Sequence, residues 1–199
     1  DARKLDEDKD RVRLMYQEQG HFKATVTRHE LNTRDVSGRK IFPIPFIFKK
    51  RGKRTDVTLF LDEGPVYRLG KLSFTDVKLF RGPAFLNRVF RMNTGDIFDV
   101  KKLREGLDNL KKAYGEFGYI DFVAEPNFEF RDTEDPPKVD LNLAVEEGKQ
   151  FFVRRINFAG NTTTRDKVIR RQLMVDEGDM FSTRLWDHSI LRLNQLGYF

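Results

Sequence analysis

Two stretches of this chain repeat each other at a fixed distance. The sequence LDEGPVYRLGKLSF, at residues 61–74, aligns without a gap with VEEGKQFFVRRINF at residues 145–158, which lies 84 positions later. A second pair, MNTGDIF at residues 92–98 and VDEGDMF at residues 175–181, matches at an offset of 83. A period of this size indicates an array of small domains, each one supersecondary unit long.

The repeat also predicts where one unit ends and the next begins. The pairs Glu63-Gly64 and Glu147-Gly148 each close an alternating strand and are interpreted as joints. The predicted units are residues 1–64, 65–148 and 149–199. Measured against the middle unit, the first lacks its opening strand and helix, and the last lacks its closing two strands. We therefore expect the sequence to be a fragment of a longer protein.

The middle unit has the periodicity of one strand, two helices and two further strands. Residues 67–74 predict the first strand, and Gly82-Pro83 begins the first helix. The second helix shows apolar residues at spacings of three and four: Val100, Leu103, Leu107, Leu110, Tyr114 and Phe117. Strands over 120–130 and 139–145 follow. The predicted fold class is α+β, as tandem small β-α-α-β-β domains, each with two helices packed on a three-stranded mixed sheet.

The first unit is predicted to hold the second helix and the hairpin of this pattern. A helix over residues 1–19 precedes strands at 24–31 and 56–61, with a turn at 32–38. An insertion, Ile41–Arg54, extends the hairpin and contains the apolar run IFPIPFIF, in which the prolines disfavour a sheet. Two interpretations of the insertion stay open, packing over its own core or a surface for a partner.

The last unit is predicted to begin with a strand over residues 151–158 and to continue with two helices. The first helix spans 163–173, with Thr163 and Asp166 as a capping box, and the second ends at Leu196. Glycine and asparagine positions are assigned to structural caps and joints because they end helices and strands. These are Gly20, Gly64, Gly118, Gly148, Gly160, Asn161 and Gly197.

The sequence holds little of the chemistry that enzymes need. It has no cysteine, and its three histidines (His21, His29 and His188) show no metal-ligand spacing. The 14 glycines match no phosphate-binding fingerprint, and the adjacent carboxylates Glu146 and Glu147 point to opposite faces of a strand end. We therefore predict a non-enzymatic protein with no catalytic residue, no cofactor and no metal.

The net charge of +6 varies from unit to unit. Residues 1–64 carry a net charge of +4, residues 65–148 of −2 and residues 149–199 of +4. A nucleic-acid-binding domain normally shows one coherent basic face with aromatic side chains set into it. We expect no nucleic-acid partner, and a basic α/β nucleic-acid-binding module stays as the alternative of another class.

A small sheet with helices on one face leaves at least one edge strand unpaired. Such an edge offers backbone N–H and C=O groups, to which an extended peptide can add as a further strand with little dependence on its sequence. In the competing interpretation, charged residues such as Lys23 close the first edge to partners. The candidate edge residues are Ala24, Val26, Arg28, Glu30, Ile120, Phe122, Ala124 and Asn127.

The order and spacing of these features resemble the POTRA domains of BamA-like outer-membrane assembly factors. The resemblance is carried by the Glu-Gly joint, the strand RRINFAGN, the helix TTTRDKVIRRQL, the loop EGDMF and a second helix ending in LNQLGYF. Residues 149–199 resemble the last POTRA domain before the barrel, 65–148 the preceding one, and 1–64 part of the one before that. No single residue is diagnostic.

The resemblance implies partners and a place in the cell. It implies a periplasmic arm at the periplasmic face of the outer membrane of a Gram-negative-type bacterium, attached to the protein's own C-terminal β-barrel. The arm would bind unfolded outer-membrane protein clients at its sheet edges and an accessory assembly lipoprotein at its last domain. The family's docking positions fall on Arg170 and Glu177. POTRA arms of two-partner-secretion transporters and TamA-type translocation factors remain as alternatives.

Overall fold

The fold is a mixture of helices and small sheets, which confirms the predicted α+β class. The computed structural model describes residues 2–36, 52–80, 82–161 and 164–197. The chain forms two compact units, Asp1–Val66 and Tyr67–Phe199. The predicted insertion at 41–54 lies outside the described residues, except for its last three residues, which belong to a strand.

The first unit consists of one helix and one β-hairpin. Helix α1 (Ala2–Glu18) is followed by strands β1 (Thr25–Val36) and β2 (Gly52–Asp62), which pair in antiparallel register with a bulge between Val26 and Arg28. The predicted turn at 32–38 is wrong for residues 32–36, which continue β1. Residues 27–35 are all exposed, so this part of the ribbon buries no apolar face. Polar residues can therefore continue the strand.

The second unit contains the complete β-α-α-β-β arrangement that the sequence predicts, followed by two more helices. Its elements are β3 (Arg68–Thr75), α2 (Pro83–Phe90), α3 (Val100–Glu116), β4 (Val123–Arg131), β5 (Lys138–Glu146), α4 (Asp166–Arg170) and α5 (Thr183–Gln195). The sheet has the order β3-β5-β4, and its central strand β5 runs parallel to β3 and antiparallel to β4. The predicted mixed three-stranded sheet is therefore confirmed.

Helix α3 anchors the core of this unit. The side chain of Asp99 caps it by accepting hydrogen bonds from the backbone N–H groups of Lys101 (2.8 Å) and Lys102 (3.3 Å). Each fully buried apolar side chain contributes roughly 1.5–3 kcal/mol to folding. The core side chains with almost no exposure are Tyr67, Leu69, Phe90, Met92, Phe98, Leu110, Tyr114, Val139, Leu141 and Leu143.

The strand predicted over residues 151–158 does not form in the described part of the chain. Its only β contact is an isolated bridge between Phe152 and Met180. The equivalent strand β3 forms because β5 lies beside it, and no described residue supplies such a neighbour to 151–158. The prediction is wrong because periodicity reports one strand's pattern and carries no information about its partner.

Helix α4 is shorter than the predicted helix over 163–173. Its N-cap is Arg165, which makes no side-chain capping bond, so the capping box is wrong: Asp166 is already the first helical residue. Thr163 lies outside the described residues. The entry turn is held instead by the side-chain amide of Asn161, which donates to the carbonyl of Thr164 (3.1 Å) and to the carboxylate of Asp166 (2.7 Å).

Candidate interaction edges and their anchors

Strand β4 forms one edge of the three-stranded sheet. It pairs with β5 over nine consecutive residue pairs without a register shift, and among the described strands no other lies beside it. Exposure alternates along the strand, with Glu125, Asn127 and Glu129 exposed and the residues between them half-buried. Of the predicted edge residues, Ala124 and Asn127 lie in this edge strand.

Three of the predicted edge residues lie just outside their strands. Ile120 is in the turn after α3, and Phe122 and Ala24 are buried. The chain makes the same turn after both helices: the amide of Phe122 donates to the carbonyl of Tyr119 (3.4 Å) and that of Ala24 to the carbonyl of His21 (3.0 Å). The predicted strand starts at 120 and 24 are therefore wrong, because this turn and its buried residue come before the sheet.

Strand β1 carries the remaining predicted edge residues, Val26, Arg28 and Glu30. In the described part of the first unit, β1 pairs with β2 alone. The guanidinium of Arg28 lies 3.1 Å from the carboxylate of Glu30 and 4.2 Å from the ring centroid of Phe60 on β2. These charged groups therefore lie over a face of the ribbon.

A loop covers part of the other edge of the three-stranded sheet, on β3. The amide of Leu69 donates to the carbonyl of Asp96 (2.8 Å), and the amide of Gly95 donates to the carbonyl of Leu69 (2.7 Å). The amide of Phe98 donates to the carbonyl of Tyr67 (3.0 Å). A partner strand consequently finds the first half of this edge occupied.

The rest of β3 is interrupted by a bulge next to Gly70. The carboxylate of Asp140 fills the space beside this glycine, accepts the backbone N–H of Lys71 (2.5 Å) and pairs with the guanidinium of Arg131. Burial alone would raise the pKa of Asp140, but the bonds from Arg131 and Lys71 outweigh it, so the pKa lies below its ordinary value.

The last repeat makes the same edge contact with its own loop. The amide of Val153 donates to the carbonyl of Asp179 (2.8 Å), Gly178 donates to Val153 (2.6 Å), and Phe181 donates to Phe151 (2.9 Å). These bonds equal those of the preceding repeat shifted by 83 or 84 positions. The two sequence matches therefore reflect two halves of one contact, in which the loop caps the first residues after each joint.

Directly after β5, Glu147 is a buried carboxylate that holds three parts of the unit together. One oxygen, Oε1, accepts the backbone N–H groups of Lys78 (2.7 Å) and Leu79 (2.9 Å) and the hydroxyl of Tyr114 (2.9 Å). Burial alone would raise the pKa of Glu147, but these donors outweigh it, so the pKa is lowered. Burial and the bond to Glu147 raise the pKa of Tyr114.

The first unit repeats this tyrosine–glutamate anchor. Tyr16 and Tyr114 each stand four residues before a helix-ending glycine, and Glu63 and Glu147 each begin a Glu-Gly joint. The hydrogen bond to Glu63, together with its charge, raises the pKa of Tyr16. Sequence reasoning treats these glutamates only as strand ends. Their recurrence inside the aligned repeat is the signal that could have found them.

The predicted docking residues Arg170 and Glu177 lie together as an ion pair at 3.0 Å. They also hold the backbone of Ile156: its N–H donates to the carboxylate of Glu177 (3.0 Å), and its carbonyl accepts from Arg170 (3.1 Å). The Arg170 guanidinium lies 5.3 Å from the ring centroid of Phe158. The bonds from Ile156 and then Arg170 lower the pKa of Glu177. Roughly half of each side chain remains exposed.

The last two repeats pack directly against each other where α3 ends. The amide of Phe151 donates to the carbonyl of Gly118 (2.9 Å). A Cβ on Gly115 would lie 2.6 Å from the hydroxyl oxygen of Thr183, at the start of α5. Gly115 thus permits a close approach that hydrophobic periodicity does not reveal. All six glycines assigned to caps and joints have φ between 63° and 94°, a range that glycine adopts readily.

Other kinds of site find little support in the described residues. Within these ranges, no group of three or more histidine, cysteine or acidic side chains is arranged to hold a metal ion. The helices described are also too short or too polar to cross a membrane. The arrangement offers backbone edges and a paired surface charge, which are features suited to binding polypeptides.

Comparisons with curated proteins find assembly factors of the outer membrane. The outer membrane protein assembly factor BamA of Neorickettsia risticii (strain Illinois) is 27% identical over 196 residues, which cover 98% of this chain and 24% of the relative. BamA of Neisseria meningitidis serogroup B is 26% identical over 200 residues, covering 98% and 22%. The chain thus spans about a quarter of the length of these relatives.

Solved structures and a family model agree with this similarity. The crystal structure of Haemophilus influenzae BamA POTRA3-5 matches with a TM-score of 0.69 at 22% identity, covering 98% of this chain and 70% of that one. BamA from Haemophilus ducreyi lacking POTRA domains 1-3 matches with a TM-score of 0.54 at 24% identity, covering 66% and 24%. The model described as "POTRA: Surface antigen variable number repeat" matches residues 67–148 and 151–199. The chain therefore belongs to the POTRA family, as a BamA-like array of these domains.

Proposed function

We propose that this chain is the periplasmic POTRA region of an outer-membrane β-barrel assembly factor, at the periplasmic face of a Gram-negative-type outer membrane. It binds unfolded outer-membrane protein clients and an accessory assembly lipoprotein, and no enzymatic step is involved. Its repeats span residues 1–64, 65–148 and 149–199. The relatives named outer membrane protein assembly factor BamA support this role.

The position of β4 at the edge of its sheet carries the proposal for client binding. A client segment in extended form pairs its backbone with the outer side of β4, which gives affinity without demanding one client sequence. The opposite edge, on β3, is less suited because a loop and a bulge interrupt it. In the first unit, the outer side of β1 offers a second edge of the same kind.

The ion pair of Arg170 and Glu177 supports the proposal for lipoprotein docking. Because both side chains are fixed on the backbone of Ile156, the pair presents a positive and a negative group in a defined arrangement. A partner with complementary charges would bind such a preformed pair with little loss of side-chain entropy. The affinity of such a partner then depends on the hydrogen bonds that fix the pair to the backbone of Ile156 as well as on the two charges.

Site-specific cross-linking tests the client proposal. A photo-reactive residue replaces Asn127 on β4, and Lys101, exposed at the start of α3, provides the matched control position. The probe is a β-barrel membrane protein unfolded in urea and diluted into buffer. We expect adducts at 127 and few at 101. Equal yields at both positions would contradict strand addition at β4. RNA binding that weakens steeply with salt, without adducts, would support the nucleic-acid alternative.

A further inference from the structure

Strand β4 carries a proline near its middle, at Pro126. Proline has no backbone N–H, so within a sheet it is tolerated on edge strands where its nitrogen faces away from the neighbouring strand. The β4–β5 ladder passes through Pro126, opposite Leu143, without a register shift. The nitrogen of Pro126 therefore faces the outer side of β4, where a client segment would add.

The orientation of the neighbouring residues follows from the antiparallel ladder. The backbone groups of alternate residues in such a strand point to the same side. Ala124 shares the outward orientation of Pro126, whereas the amides of Glu125 and Asn127 face β5. The outer side of β4 thus has a hydrogen-bond donor at Ala124 and none at Pro126, although Pro126 still carries a carbonyl acceptor.

The opposite edge of this sheet does not replace β4 as a long binding edge. The first residues of β3 are bonded to the loop that contains Gly95 and Asp96, and the bulge at Gly70 interrupts the strand after them. Within the described sheet, β4 has the longer uninterrupted ladder, and Pro126 removes one donor from its outer side. A strand added to β4 therefore lacks one hydrogen-bond donor at Pro126.

We propose, building on the function above, that Pro126 sets the register and limits the strength of client addition at β4. The occupant is an extended segment of an unfolded outer-membrane protein. A client carbonyl that falls opposite Pro126 finds no donor on β4. The favoured registers are therefore those in which this carbonyl stays hydrogen-bonded to water. One missing hydrogen bond weakens binding by about two- to tenfold. The client consequently stays easy to release, and edge-to-edge pairing of two copies is disfavoured.

The test measures the binding of one peptide to variants of the full chain. The probe is a fluorescein-labelled peptide of about ten alternating valine and threonine residues with terminal lysines, similar in length to a membrane β-strand. Fluorescence anisotropy gives the dissociation constant. Pro126→Val restores the donor and should bind about two- to tenfold more tightly. Ala124→Pro removes a second donor from the same side and should bind more weakly by a similar factor.

A matched control checks the assigned orientation. Because the amide of Glu125 faces β5, Glu125→Pro should lower the melting temperature, whereas Ala124→Pro should leave it near the wild-type value. The reverse order of melting temperatures would overturn the inference.

The remaining outcomes separate the inference from the function on which it rests. Equal peptide affinity of wild type and Pro126→Val overturns the role of Pro126 and leaves client binding at β4 standing. If neither wild type nor Pro126→Val binds the peptide, the role of Pro126 and client binding at β4 are both contradicted. Dimerisation of Pro126→Val in sedimentation velocity, without tighter peptide binding, also overturns the inference, because the occupant is then a second copy of the chain.

Discussion

Replacing Glu147 with alanine removes the acceptor of three hydrogen bonds at once. The two backbone donors belong to the loop after β3, at Lys78 and Leu79, and the third is the hydroxyl of Tyr114 on α3. The variant therefore detaches the loop and the helix from the end of β5 together. Since Glu147 is only 8% exposed, water replaces its oxygen poorly.

The size of the effect follows from these three bonds. Each hydrogen bond contributes about 1 kcal/mol net, and more when the acceptor is charged. We expect Glu147→Ala to lower the free energy of unfolding by about 3 kcal/mol, and Glu147→Gln, which keeps an acceptor, by about 1 kcal/mol. With a urea dependence of about 2 kcal/mol per molar, alanine lowers the unfolding midpoint by roughly 1.5 M.

Urea unfolding and hydrogen exchange measure this effect. Fluorescence of Trp186, the only tryptophan, reports on the compact unit that contains Glu147. Hydrogen exchange at the amides of Lys78 and Leu79 reports on the loop itself and should accelerate in the variant. The matched control is Glu146→Ala, whose exposed side chain lies one position earlier. If both alanine variants unfold at the same urea concentration, the anchoring role of Glu147 is refuted.

Three further predictions concern the charge of Glu147, the packing of Gly115 against Thr183, and the ion pair of Arg170 and Glu177. Because the pKa of Glu147 is lowered in the folded protein, its charged form stabilises the fold above about pH 4.3, the pKa of a glutamate in the unfolded chain. This stabilisation is lost as the pH falls through the pKa of the folded state. The stability difference between wild type and Glu147→Gln should therefore shrink below about pH 4.3 in urea titrations. Gly115→Ala should lower the melting temperature because the new methyl group overlaps Thr183, and Thr183→Gly in the same chain should restore part of the loss. Glu177→Lys should abolish co-purification of the accessory lipoprotein, whereas the exposed Asp187→Lys should not; equal capture by both would refute the docking role.

The periodic parts of the fold could be predicted from the sequence. Helix α3 follows from its apolar spacing and from Gly118, and the structure adds only the cap at Asp99. The alternation at Val139, Leu141 and Leu143 is strong enough to identify β5, because the strand is buried on one face and half-buried on the other. Such patterns are local, so one stretch of sequence contains all the information that is needed to identify the helix or strand.

The errors concern features that depend on a partner elsewhere in the chain. Residues 151–158 have the pattern of a strand but no described strand beside them, and the hairpin continues to Val36 because β2 pairs with it. The anchor at Glu147 depends on donors 33 to 69 residues away in the sequence. Pairing over such distances is decided by tertiary packing, which a window of neighbouring residues does not contain.

The close packing between the last two repeats has a mechanical consequence. The bond from Phe151 to Gly118 and the contact of Gly115 with Thr183 leave little room for the end of α3 to pivot against the start of α5. The end of α3 and the start of α5 therefore move together, and a force that acts on α5 is passed directly to α3. Glycine at position 115 makes this possible by having no side chain, since any larger residue would push the two repeats apart and loosen the coupling.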